Sequence, residues 1–179
     1  LYNNIGISHN GLKQYDAAQQ SVERAMRINT EIGADQALAQ NLNNLGTINS
    51  AKGNYPKAIE FFEKALEINK SLYNRYEQVQ NMNNLADVYI IIKNYTKAKE
   101  YLVEVSEIFK SYKADQLKLN HLMIYGDFYV QTKDYKNAVI YKNQYISFRD
   151  SIFDSNRFRQ FDQLKILANA EKEIQKIGF

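Results

Sequence analysis

The sequence predicts an all-α superhelix of four helical hairpins, closed by a C-terminal capping helix. Three observations lead to this fold class. Small residues recur at intervals of forty, at Gly6, Gly46, Ala86 and Gly126. Two further columns keep that interval, with tyrosine at positions 15, 55, 95 and 135 and alanine at positions 18, 58, 98 and 138. Because no segment alternates convincingly between apolar and polar residues, no sheet is expected.

This register divides the chain into four repeats and a terminal segment. The repeats are expected at about 1–33, 34–73, 74–113 and 114–153, and residues 154–179 are expected to form a capping or coiled-coil helix. The second helices of repeats two to four begin after residues suited to N-capping, namely Asn54, Asn94 and Asp134. Residue 1 falls inside a helix by this register, so we expect the chain to be a piece of a longer protein.

Within each hairpin, the small-residue column is expected to let the two helices approach closely. The terminal segment breaks the register but keeps apolar residues at helical spacing. We expect residues 155–176 to form a single helix that docks on the second helix of the fourth repeat through Phe158, Phe161 and Leu164. Such a cap would cover apolar side chains at the end of the array.

The repeat resembles the tetratricopeptide repeat through Leu45-Gly46, Tyr55, Ala58, Phe62 and Ala65. It departs from that pattern where Lys142 takes the Phe62 place, and where the closing proline is replaced by Thr30, Lys70, Lys110 and Asp150. The forty-residue period is similar to longer variants of the family. This resemblance implies a right-handed superhelix that binds a protein or peptide and carries no catalytic site.

Composition narrows the function classes further. The formal net charge is +3 and the basic residues are scattered among acidic ones, so nucleic acid is not expected as a partner. The chain has no cysteine and two histidines, and it lacks metal-ligand spacings, phosphate-binding loops and nucleophile elbows. We therefore expect no metal, no cofactor and no enzyme activity, although a repeat-fold enzyme is kept as the least favoured alternative. His9 is expected in a packing column, and His121 on a helix face that can be solvated.

The expected binding site is a groove lined by the first helices. This prediction rests on an Asn pair before the Leu-Gly position, because an amide side chain offers both a donor and an acceptor to a peptide backbone. The inward positions lack a cation and include two aspartates, so the groove is expected to select a neutral or basic peptide rather than an acidic one. The full set of predicted groove residues is Asn3, Asn4, Gln40, Asn43, Asn44, Thr47, Gln80, Asn83, Asn84, Asp87 and Asp127.

The last 35 or so residues resemble the segment that follows repeat arrays in bacterial two-component and related regulatory proteins. The matching residues are Tyr145, Ser147, Asp150, Ser151, Gln160, Leu164, Glu171 and Lys172. This resemblance implies the sensory or regulatory region of a larger signalling protein, located outside the cytoplasm if it holds and in the cytoplasm otherwise. Two alternatives stay open, namely an adaptor or assembly scaffold without signalling output, and a homodimer formed through the C-terminal helix.

Overall fold

The computed structural model describes residues 14–177, with side chains described up to position 155 and at positions 157 and 165. This part of the chain forms seven helices and no strand, as the predicted all-α class requires. They are α1 (Tyr15–Glu31), α2 (Asp35–Ala51), α3 (Tyr55–Ser71), α4 (Arg75–Ile91), α5 (Tyr95–Ile108), α6 (Asp115–Gln131) and α7 (Tyr135–Ile177). The predictions for Asn3, Asn4, Gly6 and His9 lie outside the described residues.

Consecutive helices pack against one another and so build the array. Helices α2 and α3, α4 and α5, and α6 and α7 form hairpins, while α1 packs on α2 and α3 packs on α4 to join neighbouring repeats. The first helices also meet, since α4 contacts both α2 and α6. The result is an all-α repeat superhelix in which α2, α4 and α6 follow one another along one side.

Five of the six connections between the helices are three residues long and turn through a residue with positive φ. These residues are Gly33 (φ 67°), Gly53 (76°), Tyr73 (54°), Lys93 (61°) and Lys133 (62°). A left-handed residue just after a helix is a common way to satisfy its last carbonyl groups. The connection between α5 and α6 differs, because it spans residues 109–114 and contains no residue with positive φ.

The small-residue column permits the close approach that the sequence predicted. A Cβ atom built on Gly46 would lie 2.5 Å from the Phe62 ring, so only glycine fits between α2 and α3 at this height. The capping residues behave less uniformly. The side chains of Asn94 and Asp134 accept backbone hydrogen bonds from residues 97 and 137, whereas the Asn54 side chain makes no capping bond.

The terminal segment does not form a separate docked helix. Helix α7 runs without a break from Tyr135 to Ile177, over 43 residues, and so carries the fourth repeat directly into the segment expected to cap it. No glycine or proline occurs in this stretch, so nothing in the sequence ends the helix near residue 154. The side chains of the predicted anchors lie outside the described set. Apolar residues at the end of the array stay exposed, with Met123 47%, Ile146 46% and Phe153 66% accessible.

Candidate functional site

The side of the array formed by the first helices carries a row of polar side chains, here called the first-helix face. It comprises Gln40 and Thr47 on α2, Gln80 and Asp87 on α4, and Asp127 on α6. All are exposed except Gln80, which is half-buried. Because α4 contacts both neighbouring first helices, these side chains lie on three adjacent helices. Asn120 on α6 occupies the Gln40 and Gln80 column and is half-buried; the sequence analysis missed it although the column identifies it.

Two predicted groove residues lie inside the protein instead. Asn43 is 6% exposed and Asn83 is fully buried. The side-chain oxygen Oδ1 of Asn43 accepts hydrogen bonds from the side-chain amides of Asn81 (2.9 Å) and Asn84 (3.0 Å). Since these bonds join α2 to α4, Asn43 holds neighbouring repeats together, and neither Asn43 nor Asn83 presents its side chain to a ligand.

The second asparagines of these two pairs, Asn44 and Asn84, are more accessible but not free. Asn84 is half-buried and donates to Asn43, and Asn44 is half-buried and also has an interaction partner. One asparagine of such a pair can therefore be buried while the next is accessible, because consecutive helical residues point in different directions. The expectation that both members of a pair face a peptide was wrong for Asn43 and Asn83.

Asp87 on α4 and Asp127 on α6 interact electrostatically, and a cation also lies beside Asp127. Partial burial raises the pKa of Asp87, and the neighbouring carboxylate of Asp127 raises it further. The Nζ atom of Lys142 lies 3.1 Å from the Asp127 carboxylate. Lys142 reaches this site from α7 because it stands where the other complete repeats have Phe62 or Leu102, a departure that was visible in the sequence. Among the described residues of this face, Asp87 is consequently the acidic group that forms no ion pair.

His121 is buried, contrary to the expectation of a solvated face. This residue is 3% exposed. Its Nδ1 atom lies 3.1 Å from the side-chain oxygen Oδ1 of Asn83, and its Nε2 atom lies 2.9 Å from the Ser106 hydroxyl. The rings of Phe109 and Tyr125 contact its imidazole. Burial lowers the pKa of His121 to about 4, so the ring is neutral at pH 7.

Neither a metal centre nor a membrane span is found in the described part of the chain. No group of three or more His, Cys, Asp or Glu side chains there could hold a metal ion. None of the described helices combines the length and the apolar character needed to cross a bilayer.

Comparisons with known proteins agree with this architecture. Two family models, both described as tetratricopeptide repeat, match residues 1–71 and 79–112. No curated protein sequence matches the chain. Among solved structures, BtubC (BKLC) from P. vanneervenii is similar with a TM-score of 0.74 and 19% identity, over 84% of this chain and 63% of BtubC. The apo form of RapI has a TM-score of 0.77 and 22% identity, over 86% of this chain and 56% of RapI.

A third similar structure is a putative kinesin light chain of Podosopora anserina with nearly identical TPR-like repeats. Its TM-score is 0.67 and its identity 15%, over 84% of this chain and 74% of that one. At these identities the likeness concerns the fold. The chain spans less than two thirds of BtubC and of RapI. The repeated hairpins, the small-residue column and the two matching family models together show that the chain is built from tetratricopeptide repeats.

Proposed function

We propose that the chain is a non-enzymatic protein-binding module whose first-helix face receives an extended segment of a partner protein. The observation that carries this proposal is the row of hydrogen-bonding side chains at equivalent positions of three adjacent helices, on α2, α4 and α6. Packed helices lie about 10 Å apart. An extended peptide advances about 3.3 Å per residue, so each helix would meet it about once every three residues.

The preferred partner segment is neutral or basic. Asp87 is exposed on this face, and its raised pKa reflects first a partial loss of hydration and then the neighbouring Asp127 carboxylate. A Lys or Arg side chain of the partner would relieve both effects by placing a positive charge beside Asp87. Asp127 contributes less, because Lys142 already neutralises much of its charge.

We also propose that the module belongs to the sensory or regulatory region of a larger bacterial signal-transduction protein. The C-terminal resemblance supports this role, as does the unbroken α7, which is 43 residues long and continues past the last repeat to Ile177. A helix that begins in the repeat and continues beyond it can pass a change in the last repeat to a following domain. An adaptor without signalling output would need no such continuous connection.

Peptide binding by fluorescence anisotropy tests the proposal. Three labelled peptides of equal length, with lysines, uncharged residues or glutamates at every third position, would be titrated with the chain. The lysine peptide should bind best and the glutamate peptide worst. Asp87→Asn should weaken lysine-peptide binding by up to about fivefold, since an exposed ion pair contributes roughly 1 kcal/mol or less.

A matched control is Glu67→Gln, which removes one exposed negative charge from α3 rather than from the first-helix face. It should leave the affinity for the lysine peptide unchanged. If both substitutions weaken lysine-peptide binding equally, the preference for lysine depends only on the net charge of the chain. Tight binding of the glutamate peptide would contradict the proposed partner chemistry.

A further inference from the structure

The repeat register offers an internal comparison between two junctions. Helix α3 packs on α4, and forty residues later α5 packs on α6. Equivalent positions therefore face each other at both junctions. The second junction is shorter, because α5 ends at Ile108 whereas α3 runs to Ser71, the equivalent of Ser111. Side chains at equivalent positions of the two junctions also differ.

Amide groups link α3 to α4 at the first of these junctions. The side-chain amide of Asn69 donates to the side-chain oxygen Oδ1 of Asn81 at 2.8 Å. The side-chain amide of Gln78 donates to the backbone carbonyl of Asn69 at 2.9 Å. Lys70 forms an ion pair with Glu104 across the second helices, at 3.4 Å. Amide hydrogen bonds and an ion pair thus connect the helices at the α3–α4 junction, here called the closed junction.

Four of these five side chains change at the α5–α6 junction, and only the lysine is kept. In register order, Phe109 replaces Asn69, Lys118 replaces Gln78, His121 replaces Asn81 and Gln144 replaces Glu104. A phenyl ring cannot donate to the next helix, and α5 ends at Ile108, before this position. Lys110, equivalent to Lys70, pairs instead with Glu107 of its own segment, at 2.6 Å.

A cavity lies beside this junction and extends between α6 and α7; it is here called the junction cavity. One part, of about 260 Å³, is lined by Ser106, Phe109, Lys110, Lys118, His121, Leu122, Tyr141 and Gln144. An adjoining part, of about 470 Å³, shares Lys118, Leu122 and Gln144 and adds Asn143, Ser147, Phe148 and Ser151. No acidic side chain lines either part, although the chain as a whole carries 20 acidic and 23 basic residues. The lining is therefore positively charged and rich in hydrogen-bond donors.

We propose that the junction cavity binds a small organic anion, a carboxylate attached to an apolar or aromatic body. Lys118 supplies the charge. Its Nζ atom lies 4.7 Å from the centroid of the Phe148 ring, and among the described residues it has no ion pair. The Gln144 amide and the hydroxyl of Ser147 lie on the same wall as further donors. Phe109 and Leu122 offer the apolar surface that the body of the ligand requires.

The junction cavity is separate from the first-helix face, with which it shares no residue. The two are nevertheless connected, because His121 in the cavity wall contacts Asn83 of α4. An anion beside His121 stabilises the protonated imidazole. Binding should therefore be visible as a change in the titration of this ring, independently of any peptide bound at the first-helix face.

Benzoate and its neutral analogue benzamide are suitable probes. In NMR titrations of the chain, millimolar benzoate should shift the imidazole signals of His121 and raise the apparent pKa of that ring, whereas benzamide should bind at least tenfold more weakly. Inorganic phosphate distinguishes a general anion site from one that needs an apolar body, and it should bind more weakly than benzoate. Equal binding of benzoate and benzamide, equal binding of phosphate and benzoate, or no response of His121 to benzoate would each overturn the proposal.

Register-matched substitutions supply the controls. Lys118→Gln and Gln144→Glu each introduce the residue found at the closed junction, and each should weaken benzoate binding at least tenfold. Gln78→Lys adds the same lysine at the closed α3–α4 junction and should create no second site. Both Lys118 and Gln144 lie at least partly open to solvent, so the variants should fold, and thermal melting checks this. Benzoate affinity that is unchanged in Lys118→Gln and Gln144→Glu would refute the assignment of the site.

Discussion

The buried histidine allows a quantitative prediction of how stability depends on pH. Burial lowers the pKa of His121 from 6.5 to about 4. The unfolded chain therefore takes up a proton at this residue at a higher pH than the folded chain does. The stabilising contribution of the neutral ring is complete above about pH 6.5 and is lost as the pH falls toward 4. At 1.36 kcal/mol per pKa unit, the full loss is about 3 kcal/mol.

The surroundings of His121 support the direction of this effect. The charged groups nearest its cavity, Lys110 and Lys118, are cations and would oppose an imidazolium. The phenols of Tyr125, which contacts the ring, and Tyr141, which lines the cavity, have raised pKa values and stay neutral in this pH range. None of these groups compensates the charge of a protonated ring.

Urea unfolding of the wild type and of His121→Asn, at pH 7.5 and pH 4.5, measures the effect. Asparagine is the residue that the same column holds at Asn41 and Asn81, so it fits the backbone. Carboxylates titrate in both proteins and cancel in the difference. Between the two pH values the wild type should lose about 2–3 kcal/mol more than the variant. A difference that is independent of pH would refute the reasoning.

Two further predictions concern packing and buried amides, and urea unfolding at pH 7 measures both. Gly46→Ala should lower the free energy of unfolding by about 1–3 kcal/mol, because its Cβ atom would lie 2.5 Å from the Phe62 ring. Gly126→Ala is the matched control, because its Cβ atom would lie 3.3 Å from the flexible Lys142 side chain; equal losses in both variants would contradict this packing argument. Asn81→Ala removes two buried hydrogen bonds and should cost at least about 2 kcal/mol, so an unchanged midpoint would show that they contribute little.

The sequence determined the helical architecture, because the features that build it are local or periodic. The columns of Gly46 and Ala58 place a small residue where two helices must approach, and the tyrosine column marks where each second helix begins. Helix starts and hairpin packing depend on side-chain size and spacing. Both can be counted along a chain.

The tertiary structure alone decided which polar side chains reach the surface and which bond to one another. Asn43 and Asn44 are indistinguishable by residue type, yet Asn43 is buried by α4 and Asn44 remains half-buried. Lys142 reaches Asp127 from another helix, and His121 is buried because α4, α5 and α6 converge on it. Hydrogen bonds and charge pairs across helices depend on distances of a few ångströms between residues far apart in the chain, and a repeat pattern does not specify those distances.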